Sequence, residues 1–306
     1  MPARIKLPSN VRCAVAITYD TDTAGGYAPD GVCHGRTPPF LRDYMDMLCD
    51  TAEAHGVHLQ FFQIANGLEV DEVVSHLREI MARGHAIDCH TYNHVNLAET
   101  SSVQLDHDLK MANELFRERL GIGSKLLRGP GGYPNGALDI ENQNVILANS
   151  YRFVSGEYDT SLIHRNDWSY FSSTPSRNLP LVYPSGLVEI PFQGWTDRTW
   201  FDDYKLIDPA AYRSWRLEKG HRPVPYDWSC PWTHPDALKK WIEVNLACLD
   251  HAYENRLLWT LCWHPYSHYL HDRANTMLPA LLEAAFSKPE KVAICTLRDA
   301  LKFIVT

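Results

Sequence analysis

Short apolar runs rich in β-branched residues alternate along the chain with segments in which apolar residues recur every three or four positions. The runs predict buried strands, and the spaced segments predict amphipathic helices. We predict strands at 12–19, 59–64, 85–90, 125–128, 151–155, 187–192, 257–263 and 292–296, and helices at 40–55, 70–83, 101–120, 235–254 and 273–287. Repeated strand–helix units favour an α/β fold. We therefore expect residues 1–306 to form a single-domain, distorted (β/α) TIM-like barrel of seven or eight parallel strands.

One segment, residues 194–233, interrupts this alternation because it is rich in tryptophan and proline. Five of the nine tryptophans of the chain lie within it. The segment is too long for a simple connection and too apolar for a solvated linker. We expect this Trp-rich segment to be a packed insertion that acts either as a subunit contact or as a lid over a substrate.

Composition and charge narrow the class of protein. The chain has 306 residues, 45% of them hydrophobic, and its 29 Lys and Arg against 37 Asp and Glu give a net charge of −8, which excludes a basic nucleic-acid-binding surface. No apolar stretch reaches the roughly 18 residues of a membrane span, and the first residues lack the uninterrupted apolar core of a secretion signal. The eight cysteines include no C-x-x-C pair, and several lie in apolar runs typical of reduced core thiols. We expect a cytoplasmic protein without nucleic-acid or membrane partners.

Potential metal ligands follow two of the predicted strands. The first strand ends in Asp20-Thr21-Asp22, and the strand at 85–90 leads to His90, with His94 four positions later. Two imidazoles at this spacing share one face if the chain turns helically, and the chemistry of α/β barrels lies at the carboxyl ends of their strands. The carboxylates could therefore meet the imidazoles, one binding metal while the other moves a proton. The alternative is that the two acids cap a turn and the histidines are structural.

Four short motifs lie in order at predicted strand ends. They are Thr18-Tyr19-Asp20-Thr21-Asp22, His90-Thr91-Tyr92-Asn93-His94, Arg128-Gly129-Pro130-Gly131-Gly132 and Leu261-Cys262-Trp263-His264-Pro265. The series resembles the motifs of the polysaccharide deacetylases, which carry the NodB-homology domain and are also called carbohydrate esterase family 4. The resemblance runs from about residue 12 to residue 304. The chain departs from the family pattern at Thr21, which intervenes in the first motif, and at Gly131, where the family often has an aromatic residue.

The resemblance implies a role for each of these polar residues. It makes Asp20 the general base, Arg128 the partner that orients it, and His264 the general acid. The implied ligands of one divalent metal ion, expected to be zinc, are Asp22, His90 and His94. Amide hydrolysis indeed needs a nucleophilic water, a polarised carbonyl and a protonated leaving nitrogen, which such a set can supply. For Arg128 the alternative is a surface ion pair of little consequence.

Further residues are candidates for contact with a substrate. Backbone N–H groups between Gly129 and Gly132 could hold an oxyanion. The candidate substrate-binding residues are Gly131, Gly132, Tyr133, Asp159, Trp195 and Asp197, with Arg198 beside them and His34, His268 and His271 as weaker loop candidates that would ordinarily be solvated. The family's fourth motif, an acid before tryptophan, could be Asp167-Trp168. The segment at 158–162, however, resembles Tyr-Asp-Ser-Ser-Leu of one branch of the family.

That branch contains allantoinases, cyclic imidases and cytoplasmic peptidoglycan-deacetylase-like proteins, and its members often form tetramers. We expect a metal-dependent hydrolase of non-peptide carbon–nitrogen bonds that removes the acetyl group of an N-acetylated sugar or glycan by means of a metal-activated water. Ring opening of a cyclic imide or ureide is the alternative reaction. An alternative of another class is a non-catalytic carbohydrate-binding protein with tryptophan platforms. The resemblance also implies a homo-oligomer, either a dimer or a tetramer.

Overall fold

The computed structural model describes residues 2–23, 33–158, 173–203 and 235–305, and these residues form a mixed α/β fold. In chain order its strands are β1 (Arg4–Ile5), β2 (Val11–Ala16), β3 (Thr18–Asp20), β4 (Gln60–Gln63), β5 (Ala86–Cys89), β6 (Leu126–Tyr133), β7 (Phe153–Glu157), β8 (Leu181–Val182), β9 (Val188–Glu189), β10 (Leu258–Thr260), β11 (Lys291–Cys295) and β12 (Ile304–Val305).

The helices lie between these strands, as the apolar periodicity predicts. They are α1 (Pro39–Ala54), α2 (Asp71–Ala82), α3 (Ser102–Leu115), α4 (Ile140–Ala148), α5 (Thr174–Arg177), α6 (Asp197–Asp203), α7 (Pro235–Asn255), α8 (Pro265–His271), α9 (Met277–Phe286) and α10 (Leu297–Ala300). Shorter helical turns cover Ala65–Glu69, Phe116–Leu120 and Leu301–Phe303. Among the described helices, none combines the length and the hydropathy that crossing a membrane requires.

Local chemistry explains where the first helices begin and end. Helix α1 buries the apolar face that the sequence predicts, including Leu41, Met45 and Leu48, and it starts at Pro39, where a missing N–H costs nothing. Glycines follow the ends of α1 and α2 in the left-handed region, with φ of 68° at Gly56 and 95° at Gly84. Both predicted helices are therefore confirmed to within one residue at each end.

The strands form three hydrogen-bonded sheets within the described residues. A seven-stranded sheet has the order β3-β4-β5-β6-β7-β9-β8, a three-stranded sheet the order β10-β2-β11, and β1 pairs with β12. All pairs are parallel except β8–β9 and β1–β12. These sheets do not close into one ring, so the pairing by itself does not show the expected barrel.

The predicted strand at 12–19 is divided between two sheets. Its first part, β2, pairs with β10 and β11, whereas its last part, β3, pairs with β4. The change occurs at Ile17, whose carbonyl accepts a hydrogen bond from the backbone nitrogen of Gln60 at 3.2 Å. This strand therefore lies in the centre of the molecule, and Asp20 at its end reaches the edge where β3, β4 and β5 terminate.

The described part of the Trp-rich segment packs within the chain. Trp195 and Trp200 are 4% and 1% exposed, and Trp200 donates a hydrogen bond from Nε1 to the Ala237 carbonyl at 3.0 Å. Trp215, Trp228 and Trp232 lie outside the described residues. Five of the described cysteines are buried, as the apolar runs predict: Cys13, Cys49, Cys89, Cys248 and Cys262.

Candidate active site

A cavity of ≈ 140 Å³ opens at the carboxyl ends of β3, β5 and β6, next to the segment that follows β10. Its charged and imidazole-bearing lining residues are Asp20, Asp22, His90, His94, Arg198 and His264. Parallel strands bring their carboxyl ends to one edge of a sheet, so residues that are far apart in sequence meet here. The convergence of carboxylates and imidazoles that the strand ends predict is therefore present.

Three of these side chains form a group suited to a divalent cation. Asp22, His90 and His94 each offer one ligand atom, and these atoms lie within 4.8 Å of one another. Oδ1 of Asp22 is buried and has no hydrogen-bond partner among the described residues. Two imidazoles and a carboxylate are a donor set that zinc accepts, and a cation would satisfy the orphaned oxygen. The residues fit the metal that the family resemblance implies.

The protonation of the two imidazoles also suits this role. Nδ1 of His90 donates to the backbone carbonyl of Arg128 at 3.0 Å, which leaves Nε2 as the lone-pair nitrogen. Burial lowers the pKa of His90 to about 4. Burial, and then the neighbouring His90, lower the pKa of His94 to about 4. Both rings are therefore neutral at neutral pH, as ligands must be.

The two histidines meet through a tight loop and not through the helical turn expected from their spacing. Thr91 and His94 have φ of 63° and 56°, in the left-handed region, and the two imidazole centroids are 4.9 Å apart. Asp108 on α3 holds this loop, because its carboxylate accepts from the backbone nitrogens of Tyr92 at 2.7 Å and Asn93 at 3.0 Å. The contribution of Asp108 is not visible in the sequence, since it comes from a helix that follows the motif.

Asp20 forms a buried ion pair with Arg128. Its Oδ1 lies 3.3 Å from Nε of Arg128, and its Oδ2 lies 3.6 Å from Nε2 of His90. Burial favours the neutral carboxyl, but the charge of Arg128 lowers the pKa of Asp20 below its usual value. Asp20 is therefore ionised at neutral pH, the state that a general base requires.

Arg128 is fully buried, so the alternative of a surface ion pair is wrong. Its guanidinium lies 4.5 Å from the ring centroid of Phe62 and 5.1 Å from that of Phe192, and it also donates to Oγ1 of Thr18. A planar cation between two aromatic rings has little freedom to move. Arg128 thus fixes the orientation of the Asp20 carboxylate.

His264 is held by Asp197, which was expected to contact a substrate. Oδ1 of Asp197 accepts from Nδ1 of His264, and its Oδ2 accepts from the backbone nitrogen of His264, both at 2.7 Å. Asp197 is fully buried and does not line the cavity, so we correct its expected role to that of a partner of His264. Burial opposes charging of the ring, but Asp197 and then Asp22 raise the pKa of His264 to about 9. Nε2 of His264 faces Oδ1 of Asp22 at 3.7 Å.

Comparison with known proteins agrees with this site. Residues 11–146 match the family model of the polysaccharide deacetylases. This part of the chain is therefore similar to the polysaccharide deacetylases. A peptidoglycan-N-acetylglucosamine deacetylase of Bacillus cereus is 29% identical over 133 residues, which are 44% of this chain and 53% of that protein, so the match spans about half the length of the relative.

Two solved structures resemble nearly the whole chain in fold. A "probable polysaccharide deacetylase" of Pseudomonas aeruginosa PAO1 has a TM-score of 0.63 at 14% identity, covering 97% of this chain and 92% of the other. An allantoinase has a TM-score of 0.62 at 14% identity, covering 99% and 93%. At this identity the likeness concerns the fold, which is therefore a mixed α/β fold of the kind found in this family.

The glycines of the third motif, Gly129, Gly131 and Gly132, line the cavity. Gly131 and Gly132 have φ of 71° and 65°, which other residues rarely adopt. A Cβ at Gly132 would come within 3.0 Å of the Phe192 ring and 3.1 Å of Cβ of Tyr158. The positive φ at Gly131 explains why this chain has glycine where the family often has an aromatic residue.

Two further candidates for substrate contact do not line the cavity. Tyr133 is turned inward, where its hydroxyl donates to Glu189 at 2.9 Å and its ring fills the space beside Gly129 and Gly156. Trp195 is buried against Trp200, with ring centroids 5.5 Å apart. Both expectations are corrected because the side chains serve packing. Asp159 lies outside the described residues, as does Asp167-Trp168.

The loop histidines also differ from the solvated side chains that were expected. His268 is buried against Trp263 with ring centroids 5.0 Å apart, and His271 stacks on Phe201 at 4.2 Å. His34 is partly buried, in a backbone bridge with Thr23. Sequence reasoning did not single out several residues that do line the cavity: Tyr158, Phe192, Thr196, Thr199 and Cys262.

Proposed function

We propose that this chain is a metal-dependent hydrolase that removes the acetyl group from the nitrogen of an N-acetylated sugar or glycan. The observation that carries the proposal is that three features surround one cavity. They are an ionised Asp20 paired with Arg128, the three potential ligands Asp22, His90 and His94 (called the Asp22 group), and a His264 that Asp197 orients. The match of residues 11–146 to the polysaccharide deacetylase family model supports it, as does the similarity to a peptidoglycan-N-acetylglucosamine deacetylase.

A divalent ion, which we propose to be zinc, would be held by Asp22, His90 and His94. When bound, such an ion polarises a carbonyl and makes water nucleophilic near neutral pH. The imidazoles are suited to hold it because Nδ1 of His90 is committed to the backbone and both rings are neutral. Asp22 supplies the negative charge of the site.

Asp20 acts as general base in this proposal. Its carboxylate faces the cavity, is ionised because of Arg128, and accepts a proton from the attacking water. The ion pair with the buried guanidinium keeps the carboxylate in place during this transfer. Arg128 therefore acts through Asp20 and not on the substrate.

His264 acts as general acid. Because Asp197 accepts from Nδ1, the Nε2–H of the charged ring points to the cavity side and donates its proton to the leaving nitrogen. Gly131 and Gly132 line the same cavity, and we propose that this turn contacts the N-acetyl group. Arg198, Thr196 and Thr199 line the cavity as well and would contact polar groups of the substrate.

Opening of a cyclic imide or ureide is the second candidate. The observation in its favour is the fold similarity to a solved allantoinase, with a TM-score of 0.62. A substrate panel decides between the two: N-acetylglucosamine oligomers, peptidoglycan fragments, cyclic imides and ureides, each with the metal-reconstituted full chain. Release of acetate from the sugars supports deacetylation, and ring opening supports the alternative. Binding of sugars without turnover of any compound would favour the non-catalytic carbohydrate-binding protein.

We also propose that the strands form a distorted barrel. Two hydrogen bonds support it by joining the chain after β9 to β10: the Gln193 backbone nitrogen donates to the Thr260 carbonyl at 2.9 Å, and the Thr260 nitrogen donates to Oε1 of Gln193 at 2.8 Å.

A cytoplasmic location and a homo-oligomer remain part of the proposal. Light scattering at micromolar concentration tests the oligomer, and a monomer would leave the lid as the interpretation of the Trp-rich segment.

A further inference from the structure

The cavity is also lined by a cysteine that the proposed reaction does not use. Cys262 is buried, lines the cavity, and donates from Sγ to Oδ2 of Asp20 at 3.3 Å. One ligand atom each of Asp20, Cys262 and His264 lie within 4.8 Å of one another. We propose that these three residues form a second cation site, which takes a thiophilic divalent ion such as zinc or cobalt.

The free atoms of these side chains support this assignment. Nδ1 of His264 is bonded to Asp197, so the ligand atom is Nε2. Oδ1 of Asp20 faces Nε of Arg128 at 3.3 Å, so the carboxylate oxygen beside Sγ of Cys262 is Oδ2, at 3.3 Å. A buried carboxylate, thiol and imidazole whose ligand atoms lie within 4.8 Å of one another form a donor set that a cation can bind.

The donor set determines which ions fit. One sulfur, one nitrogen and one oxygen suit zinc and cobalt, whereas magnesium and calcium prefer oxygen alone. Binding requires Cys262 to lose its thiol proton and the charged His264 ring to lose its Nε2 proton, and both protons pass to solvent as the metal–sulfur and metal–nitrogen bonds form. The thiolate and the Asp20 carboxylate then contribute two negative charges, against the one positive charge of Arg128.

The second site adjoins the Asp22 group. His90 Nε2 is 3.6 Å from Asp20 Oδ2, and His264 Nε2 is 3.7 Å from Asp22 Oδ1. An ion on Asp20 and His264 would occupy the proposed base and acid, so we infer that excess zinc inhibits the enzyme. The inhibition rests on the proposed function, whereas binding of the ion does not.

Titration of the metal-free full chain with cobalt(II), followed by absorbance, tests the site directly. We expect two equivalents to bind, the second accompanied by the near-ultraviolet charge-transfer band of a thiolate–cobalt bond. Cys262→Ser should keep the first equivalent and lose the band, while Cys295→Ser, the same change at a partly buried cysteine outside the cavity, should keep both. A single equivalent without a band, or a band that persists in Cys262→Ser, overturns the proposal.

A second measurement applies to the unmodified protein if Cys262→Ser fails to fold. Zinc beyond the first equivalent should slow alkylation of Cys262, measured by peptide mass spectrometry, and an unchanged rate overturns the site. In activity assays, Cys262→Ser should require at least about tenfold more zinc for half-inhibition, since losing even a group that only orients a ligand costs that much affinity. Two equivalents with a charge-transfer band but no turnover of any substrate would defeat the proposed function and leave the second site intact.

Discussion

Asp197 accepts hydrogen bonds from both the backbone nitrogen and Nδ1 of His264, each at 2.7 Å. One carboxylate thus fixes the main chain and the ring of the proposed general acid together. The two residues are 67 positions apart, on α6 and directly before α8. The pair therefore connects the start of the Trp-rich segment to a residue that lines the cavity.

We expect Asp197→Asn to lower kcat by about 10²-fold, because an amide has one acceptor oxygen for the two N–H groups of His264 and lacks the negative charge that keeps the ring protonated. Metal content should stay unchanged, since Asp197 is not in the Asp22 group. Asp272→Asn is the matched control. Asp272 is also a buried carboxylate that accepts backbone N–H bonds, but it caps α9 away from the cavity and should affect Tm more than kcat. Normal kcat in folded Asp197→Asn would refute the positioning role.

Replacing the proposed base and acid separates chemistry from stability. Asp20→Asn keeps the shape of the side chain but cannot take a proton from water, and His264→Ala cannot protonate the leaving nitrogen. Each should lower kcat by on the order of 10²-fold or more while metal content is retained. Asp20→Asn also leaves the buried Arg128 charge unpaired, which costs about 3–5 kcal/mol of folding free energy. Measuring kcat, Tm and metal content on the same samples distinguishes the effects, and a destabilised Asp20→Asn with normal kcat would end the base assignment.

The edge of the sheet that carries the site could be predicted from the sequence because it follows from topology alone. Any parallel α/β arrangement brings the residues after β3, β5 and β6 to one edge. Asp20 and His90 are close for that reason, whereas the pairing of Asp20 with Arg128, which lies inside β6, was expected only from the family resemblance. The strand and helix periodicity was sufficient for this much of the fold.

Contacts that depend on irregular backbone could not be predicted in this way. Tyr133 was expected to face the substrate, but the pairing of β6 with β7 shifts register between Arg128 and Tyr133, so simple alternation does not tell which way the tyrosine points. The roles of Asp108 and Asp197 could not be predicted from the sequence for another reason. Each accepts hydrogen bonds from a backbone segment that is distant in sequence, and no local sequence pattern identifies a carboxylate with such a partner.

Removing the metal should destabilise the protein as well as inactivate it. An ion that binds only the folded state at 100 times its Kd contributes about 2.7 kcal/mol, so adding zinc to the chelated protein should raise Tm. His94→Ala should abolish most of this increase because it removes one of three ligands. His58→Ala, at a histidine outside the cavity, is the control and should retain it. If zinc leaves the Tm of the unmodified protein unchanged, or if His94→Ala responds as fully, the Asp22 group is not the metal site.

A buried acid outside the cavity should make stability depend on pH. Burial, and then the charge of Glu157, raise the pKa of Glu189 to about 8, although its carboxylate accepts from the Gly156 nitrogen at 2.8 Å and from the Tyr133 hydroxyl at 2.9 Å. In the unfolded chain a glutamate has a pKa of about 4.3. Between these two values the folded protein holds a proton that the unfolded chain has released. The contribution of Glu189 to the free energy of unfolding is therefore full below pH 4.3, falls as the pH rises, and is constant again above about pH 8.

Glu189→Gln removes this titration while preserving a buried amide of the same shape. Urea unfolding at pH values from 5 to 9 should show that the unmodified protein loses more stability across this range than Glu189→Gln does. Other titrating groups contribute equally to both proteins, so their effect cancels in the difference. Glu243→Gln on α7, whose side chain is 59% exposed, should instead follow the unmodified protein. If the difference between the unmodified protein and Glu189→Gln is the same at every pH, Glu189 is ionised in the fold and the raised pKa is wrong.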